Sequence, residues 1–235
     1  MKLLAIETST EACSVALWID GQVRERHEIA PRRHTDLVLP WADELLAEAG
    51  VSKSQLDAIA VGRGPGAFTG VRLAVALVQG MALALDLPVL PVSTLAALAM
   101  RAPQDSQAKV LAAIDARMGE LYLGLFQRDA SGLPMPIGAE WMSTPLLASL
   151  PDDVQAVLGV GSGFAAEQGE LARTLGEKLL YADASQLPHA ADIARLGAGA
   201  LARGEAIAAD QLEPAYLRDK VALTLEEQAA ARSLR

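Results

Sequence analysis

Gly62-Arg63-Gly64-Pro65-Gly66-Ala67-Phe68-Thr69-Gly70-Val71-Arg72 is the stretch that decides how this chain is read. It joins an apolar run, Leu56 to Val61, that reads as a strand to an alanine-rich run, Thr69 to Leu85, that reads as a helix. Glycine accepts positive φ and lets backbone or ligand come close, and proline fixes φ. A loop of this kind entering a helix N-terminus has the form of an anion site, because the first-turn N–H groups are free. The details argue against a phosphate. A P-loop needs a lysine directly after its last glycine, and none follows here. A Rossmann turn is G-x-G-x-x-G/A on the first strand–helix junction; Thr69 stands where the third glycine belongs, and this junction is not the first. The loop therefore reads as a tight strand-to-helix turn.

The helix after it is the more informative part. Ala76, Gly80 and Ala84 lie four apart, a spacing that lets a second helix approach closely. Leu73, Val75, Leu77, Val78, Met81 and Leu83 make the rest apolar nearly all round. A helix apolar on every face is buried on every face. Its own sheet covers one side, and a partner is expected to cover the remainder; packing wholly within the chain is the competing reading.

Outward from the loop, the N-terminal half reads as a meander: Leu3 to Ile6, Cys13 to Ile19 and Gln22 to Ile29, with Asp20-Gly21 as a tight turn. A helix follows from about Thr35 to Ala49, with Pro40 expected to kink it or delay its start, and Gly50 ends it. Val89-Leu90 is a short strand, and Ser93-Thr94 caps a helix from Leu95 to Met100. After Ala102-Pro103-Gln104 the pattern restarts. Lys109 to Asp115, a turn, then Glu120 to Phe126 repeats Lys2 to Glu7, a turn, then Cys13 to Trp18. A Gly/Pro loop (Ser131 to Gly138), a short helix near Thr144 to Leu150, a strand at Val154 to Val160 and helices over Phe164 to Leu175 and Pro188 to Ala202 complete the second half. The expectation is two related α/β domains, 1–103 and 104–218, and a tail, 219–235, that is helical or packs back.

Bulk chemistry excludes several functions. Half of the 235 residues are hydrophobic (51%) and the net charge is −9, so the chain alone is poorly suited to grip a phosphate backbone. A single cysteine, Cys13, excludes an internal disulfide and a multi-cysteine zinc site. His27, His34 and His189 have no i, i+4 metal spacing. No signal sequence is read at Met1-Lys2, and the most apolar window, Leu73 to Leu85, is short of the ~20 residues of a membrane span. A cytoplasmic protein without membrane contact is expected. Glu7 and Asp115 each end a strand before a turn. They read as turn acids satisfied by local N–H groups, with a shared cleft holding a metal–nucleotide as the alternative.

Four blocks carry a family resemblance: Leu3-Leu4-Ala5-Ile6-Glu7-Thr8-Ser9-Thr10, the glycine loop through Arg72, Ile114-Asp115-Ala116-Arg117-Met118-Gly119-Glu120, and Glu213-Pro214-Ala215-Tyr216-Leu217-Arg218. In this order they resemble the TsaB (YeaZ) family over nearly the whole chain. The resemblance implies two actin/Hsp70/sugar-kinase-like (ASKHA) domains, each a mixed five-stranded sheet with helices. It implies a non-catalytic scaffold for threonylcarbamoyl transfer to adenosine 37 of tRNAs reading codons that begin with A. The implied partners are the paralogue TsaD, the ATPase TsaE, a second copy when alone, and tRNA only through the complex. TsaD's metal-binding His-x-x-x-His is absent here, since Val38 stands four residues after His34; no metal, no cofactor and no catalytic residue is expected. The partner interface implied on the first two helices comprises Leu37, Val38, Trp41, Leu45, Phe68, Thr69, Val71, Arg72, Val75, Ala76, Gln79, Gly80 and Met81. Glu7, Thr8, Ser9, Asp115 and Arg117 mark an inherited nucleotide cleft, and an ATP-binding enzyme using it is the alternative function.

Overall fold

The structure is a computed structural model that describes residues 1–104 and 108–218. The chain runs β1 (Lys2–Glu7), β2 (Ala12–Ile19), β3 (Gln22–Ile29), α1 (His34–Ala49), β4 (Ala58–Gly62), α2 (Phe68–Leu85), β5 (Val89–Val92) and α3 (Thr94–Ala99). The second half runs β6 (Lys109–Arg117), β7 (Glu120–Arg128), β8 (Pro134–Pro136), β9 (Trp141–Ser143), β10 (Val157–Val160), α4 (Glu170–Leu175), β11 (Leu179–Asp183) and α5 (Ala190–Ala202).

The repeat seen in the sequence is a repeat of topology. The first sheet has the order β3-β2-β1-β4-β5 and the second β11-β10-β6-β7-β8, which is the same order read from the other edge. In each, an antiparallel hairpin (β1–β2, β6–β7) gains parallel strands beside its first member. The second sheet has six strands rather than the expected five, because β9 also pairs with β7.

Alternation along the strands sorts the core into layers. Leu4 and Ile6 of β1 join α1 and α2 on one face, while Leu3 and Ala5 face α5 on the other. In the second sheet Leu121, Leu123 and Leu125 face α4, and Phe126 faces α3. Two helices thus cross over: α3, from the first half, packs on β6 and β7, and α5, from the second half, packs on β1, β2, β4 and β5. The sequence break at 103/104 separates the sheets but not these helices.

The structure corrects several elements. Pro40 lies inside α1, which begins at His34, so it does not delay the start. Phe164 to Leu175 is not one helix. Glu167 and Gln168 take left-handed backbone (φ 46 and 57), which breaks the run and leaves only α4 helical. The region of Thr144 to Leu150 is a single 3₁₀ turn, Pro145–Leu147. Within the Gly/Pro loop lies β8, and β9 and β11 are additional strands. The tail 219–235 falls outside the described residues.

Candidate functional site

The glycine loop is built around the chain's own β1–β2 turn. A Cβ placed on Gly62 would collide with the Glu7 carboxylate, one on Gly66 with the Ser9 carbonyl, and one on Gly70 with the Thr8 carbonyl. Hydrogen bonds lock the same contact. Ala67 N donates to Ser9 O (2.7 Å), and Thr8 Oγ1 donates to Gly70 O (2.8 Å). The Glu7 carboxylate accepts from Ser9 N (2.6 Å) and from Thr94 Oγ1 (3.3 Å). Burial drives its pKa above the ordinary carboxylate value, against those bonds. The bare backbone that a phosphate would need is therefore covered by Glu7, Thr8 and Ser9.

Asp115 has a local role. Its carboxylate accepts from Arg117 N (2.7 Å) and pairs with Arg117 Nη1 (3.0 Å) across a left-handed turn at Arg117 and Met118. Among the described residues no hydrogen bond or ion pair joins Asp115 to Glu7, and no group of three His, Cys, Asp or Glu is arranged to hold a metal. His34 is a structural tie, its Nε2 within 3.0 Å of Thr10 O and 3.2 Å of Ala12 O.

Three of the four sequence blocks meet at one strap. Ala215 N donates to Arg63 O (2.8 Å), tying Glu213–Arg218 to the glycine loop. Arg218 then donates to Ala116 O (3.1 Å) and Glu120 Oε2 (2.8 Å) on the β6–β7 turn. A cavity of about 460 Å³ opens beside the strap, lined by Arg63, Ser93, Phe126, Glu140, Tyr216 and others. Glu140 accepts from the Ser93 hydroxyl, and burial raises its pKa while Arg63 opposes the shift. Ser93 also caps α3, accepting from Ala96 N as expected. Sequence reasoning singled out neither Arg218 nor Glu140 as a contact residue; Arg218 was visible only as the end of a motif.

The α1–α2 layer divides the residues expected at an interface. Val38, Leu45, Val71 and Val75 are buried in the core and are corrected from surface to packing residues. Leu37, Trp41, Gln79 and Met81 are half-buried, and Gln79 donates to Leu212 O (3.0 Å). Phe68, Thr69, Arg72, Ala76, Gly80, Leu83 and Ala84 are exposed. Of these Arg72, Ala76, Gly80 and Ala84 follow at four-residue steps along one stripe, and a Cβ on Gly80 meets nothing within 4 Å. The competing reading, a helix packed wholly within the chain, thus does not hold for this stripe. At 18 residues α2 is also, by length and composition, apolar enough to cross a membrane, which corrects the shorter window read from the sequence. Here it packs along β4 through Val71, Ala74, Val75, Val78 and Ala82.

Comparison with known proteins places this geometry. Residues 26–225 match the family described as TsaD, tRNA N6-adenosine threonylcarbamoyltransferase. The chain is 42% identical to the tRNA threonylcarbamoyladenosine biosynthesis protein TsaB of Escherichia coli K12, covering 94% of this chain and 96% of that one. It is 39% identical to the TsaB of Haemophilus influenzae, covering 94% and 95%. Among solved structures, YeaZ from Pseudomonas aeruginosa superposes with a TM-score of 0.84 at 46% identity, covering 92% of this chain and 99% of that one.

Proposed function

The chain belongs to the TsaB family, and from that premise we propose that it is a non-catalytic scaffold subunit in tRNA threonylcarbamoyladenosine biosynthesis. It pairs with TsaD, which carries out threonylcarbamoyl transfer to adenosine 37 of tRNAs reading codons that begin with A, and it recruits TsaE. It acts in the cytoplasm, meets tRNA through that complex, and pairs with itself when alone. The observation that carries the proposal is the α2 stripe: a helix face of small residues, exposed at Ala76, Gly80 and Ala84 and open at Gly80. Exposed apolar surface of this kind marks an interaction site. The closed glycine loop supports the non-catalytic part, because Glu7, Thr8 and Ser9 pack directly against Gly62, Gly70 and Gly66.

The test is co-purification with TsaD. Ala76→Arg or Gly80→Arg is expected to abolish the complex and the tRNA modification in cells while leaving the thermal melt unchanged, since both positions are exposed. Arg117→Ala, in the inherited cleft, is expected to leave the complex intact. Retention of the complex by both α2 variants would show the wrong face has been assigned. Micromolar binding of Mg-ATP by the isolated chain, lost in Glu7→Ala, would favour the alternative of an ATP-binding enzyme.

A further inference from the structure

The cavity beside the strap is walled by both lobes, and what it holds does not depend on the docking of TsaD. Arg63, directly after β4, and Ser93, directly before α3, come from the first lobe. Phe126 of β7 and Glu140, between β8 and β9, come from the second, and Tyr216 and Leu217 of the strap close it. At about 460 Å³ it falls among ordinary small-molecule sites, which hold about 300–1,000 Å³. Two of its walls are charged, with opposite sign. The Ser93 hydroxyl accepts from Ala96 N (3.1 Å) and gives its one proton to Glu140 Oε1. Glu140 Oε2 is left without a protein partner among the described residues. Arg63 is exposed, and among the described residues its guanidinium has neither an ion pair nor a hydrogen bond. Its charge nonetheless acts on Glu140, where it opposes the rise in pKa that burial causes. An acid and a base thus face one cavity, near enough to attract and too far apart to pair.

A plain anion at Arg63 would be repelled by the Glu140 carboxylate, and a plain amine at Glu140 would be repelled by the Arg63 guanidinium. One molecule that carries both charges satisfies both groups. We propose that the cavity binds a free α-amino acid with an aromatic or large aliphatic side chain, its carboxylate on Arg63, its ammonium on Glu140 Oε2 and its side chain against Phe126, Tyr216 and Leu217. An α-amino acid carries both charges on one carbon, which suits two protein groups that stand close without pairing. The volume calls for the large side chain, because the smallest amino acids would leave most of the cavity to water. Tyr216 is steadied from outside by Arg72, whose guanidinium carbon lies 5.0 Å from the ring centroid. The ligand touches both lobes and the strap, so its binding stabilises their present arrangement.

Calorimetric titration of the full chain with L-phenylalanine tests this, beside two probes that each lack one charge: phenethylamine, without the carboxylate, and N-acetyl-L-phenylalanine, without the ammonium. Saturable binding of L-phenylalanine is expected, with both single-charge probes weaker by at least about tenfold, and L-phenylalanine is expected to raise the thermal melt. Arg63→Gln is expected to weaken L-phenylalanine by at least about tenfold while leaving phenethylamine no weaker. Glu140→Gln keeps an acceptor for Ser93 and is expected to weaken L-phenylalanine while leaving N-acetyl-L-phenylalanine no weaker. Melts without ligand confirm that both variants are folded. Equal binding of all three probes would mean that the cavity takes apolar molecules without reading charge, and would overturn the proposal. So would L-phenylalanine binding that neither variant alters, or the absence of saturable heat with L-phenylalanine and L-leucine alike.

Discussion

Gly62, Gly66 and Gly70 on one side, and Gly80 on the other, are glycines for opposite reasons. At the first three, the chain's own turn occupies the place of a side chain; at Gly80, empty space does. Adding one methyl group therefore has opposite consequences. Gly62→Ala and Gly70→Ala press a Cβ into a carboxylate or a carbonyl that hydrogen bonds hold in place, and each is expected to lower stability by about 2–3 kcal/mol or more. Gly80→Ala sits in the interior of an exposed helix, where alanine is favoured over glycine by up to about 1 kcal/mol, and is expected to leave stability unchanged or raise it. Urea denaturation of the three variants measures this. A neutral Gly62→Ala would mean that the Glu7 turn yields easily to the loop. Only part of this was legible in the sequence: glycine spacing announced close approach, but not that the approaching group was Glu7-Thr8-Ser9, some sixty residues earlier.

At the scale of elements, the sequence was read well where one face of a strand is buried and one pattern dominates. The meander β1–β3, the restart at β6 and the cap of α3 follow from alternation, Asp20-Gly21 and Ser93. It was read poorly where backbone conformation overrides composition, as at Glu167 and Gln168, and where short edge strands such as β8 and β9 draw their definition from β7 rather than from themselves. The docking of α5 lay beyond it altogether. That helix reaches back to the first sheet, where Ala190 N donates to Ser14 Oγ (2.9 Å), Ala191 N donates to Glu25 (2.9 Å) and His189 pairs with the same carboxylate (2.9 Å). The His189 ring stacks on His27 of β3, centroids 4.0 Å apart and within 2° of parallel. Burial, then the His189 and Arg101 charges, lower the His27 pKa, and Glu25 opposes them. The folded state thus favours neutral His27. The stability this gives is present above the ordinary histidine pKa of about 6.5 and is lost as pH falls below it. His27→Phe keeps a ring on the stack and removes the titration. Its thermal melt is expected to fall less than that of the unmodified chain as pH drops from about 7 to about 5. Parallel curves would show that His27 carries no proton-linked stability.

For the whole molecule, the decisive feature is how the two sheets are held. A nucleotide-binding protein of two such lobes works by opening and closing around its ligand. Here each lobe lends the other a helix, α3 and α5, and the strap crosses between them a third time. Arg218 is the strap's anchor: its side chain is four-fifths buried, and its guanidinium serves the Ala116 carbonyl and the Glu120 carboxylate of the β6–β7 turn. Three residues earlier, Ala215 holds the glycine loop. The hairpin turn of the second lobe is thereby tied to the loop that begins α2 of the first. Arg218→Ala leaves the turn's acceptors without this donor and removes a partly buried charge-assisted pair, a loss of about 1–3 kcal/mol. The expected signature is regional. Amide hydrogen exchange should quicken at residues 115–120 and, through the released strap, at residues 63–67, while the α5 amides keep their protection. Arg218→Lys retains the charge but not the fork and should restore only part of that protection. Faster exchange confined to residues 213–218 would mean that the strap merely lies on the surface, and that the crossed helices alone hold the lobes together.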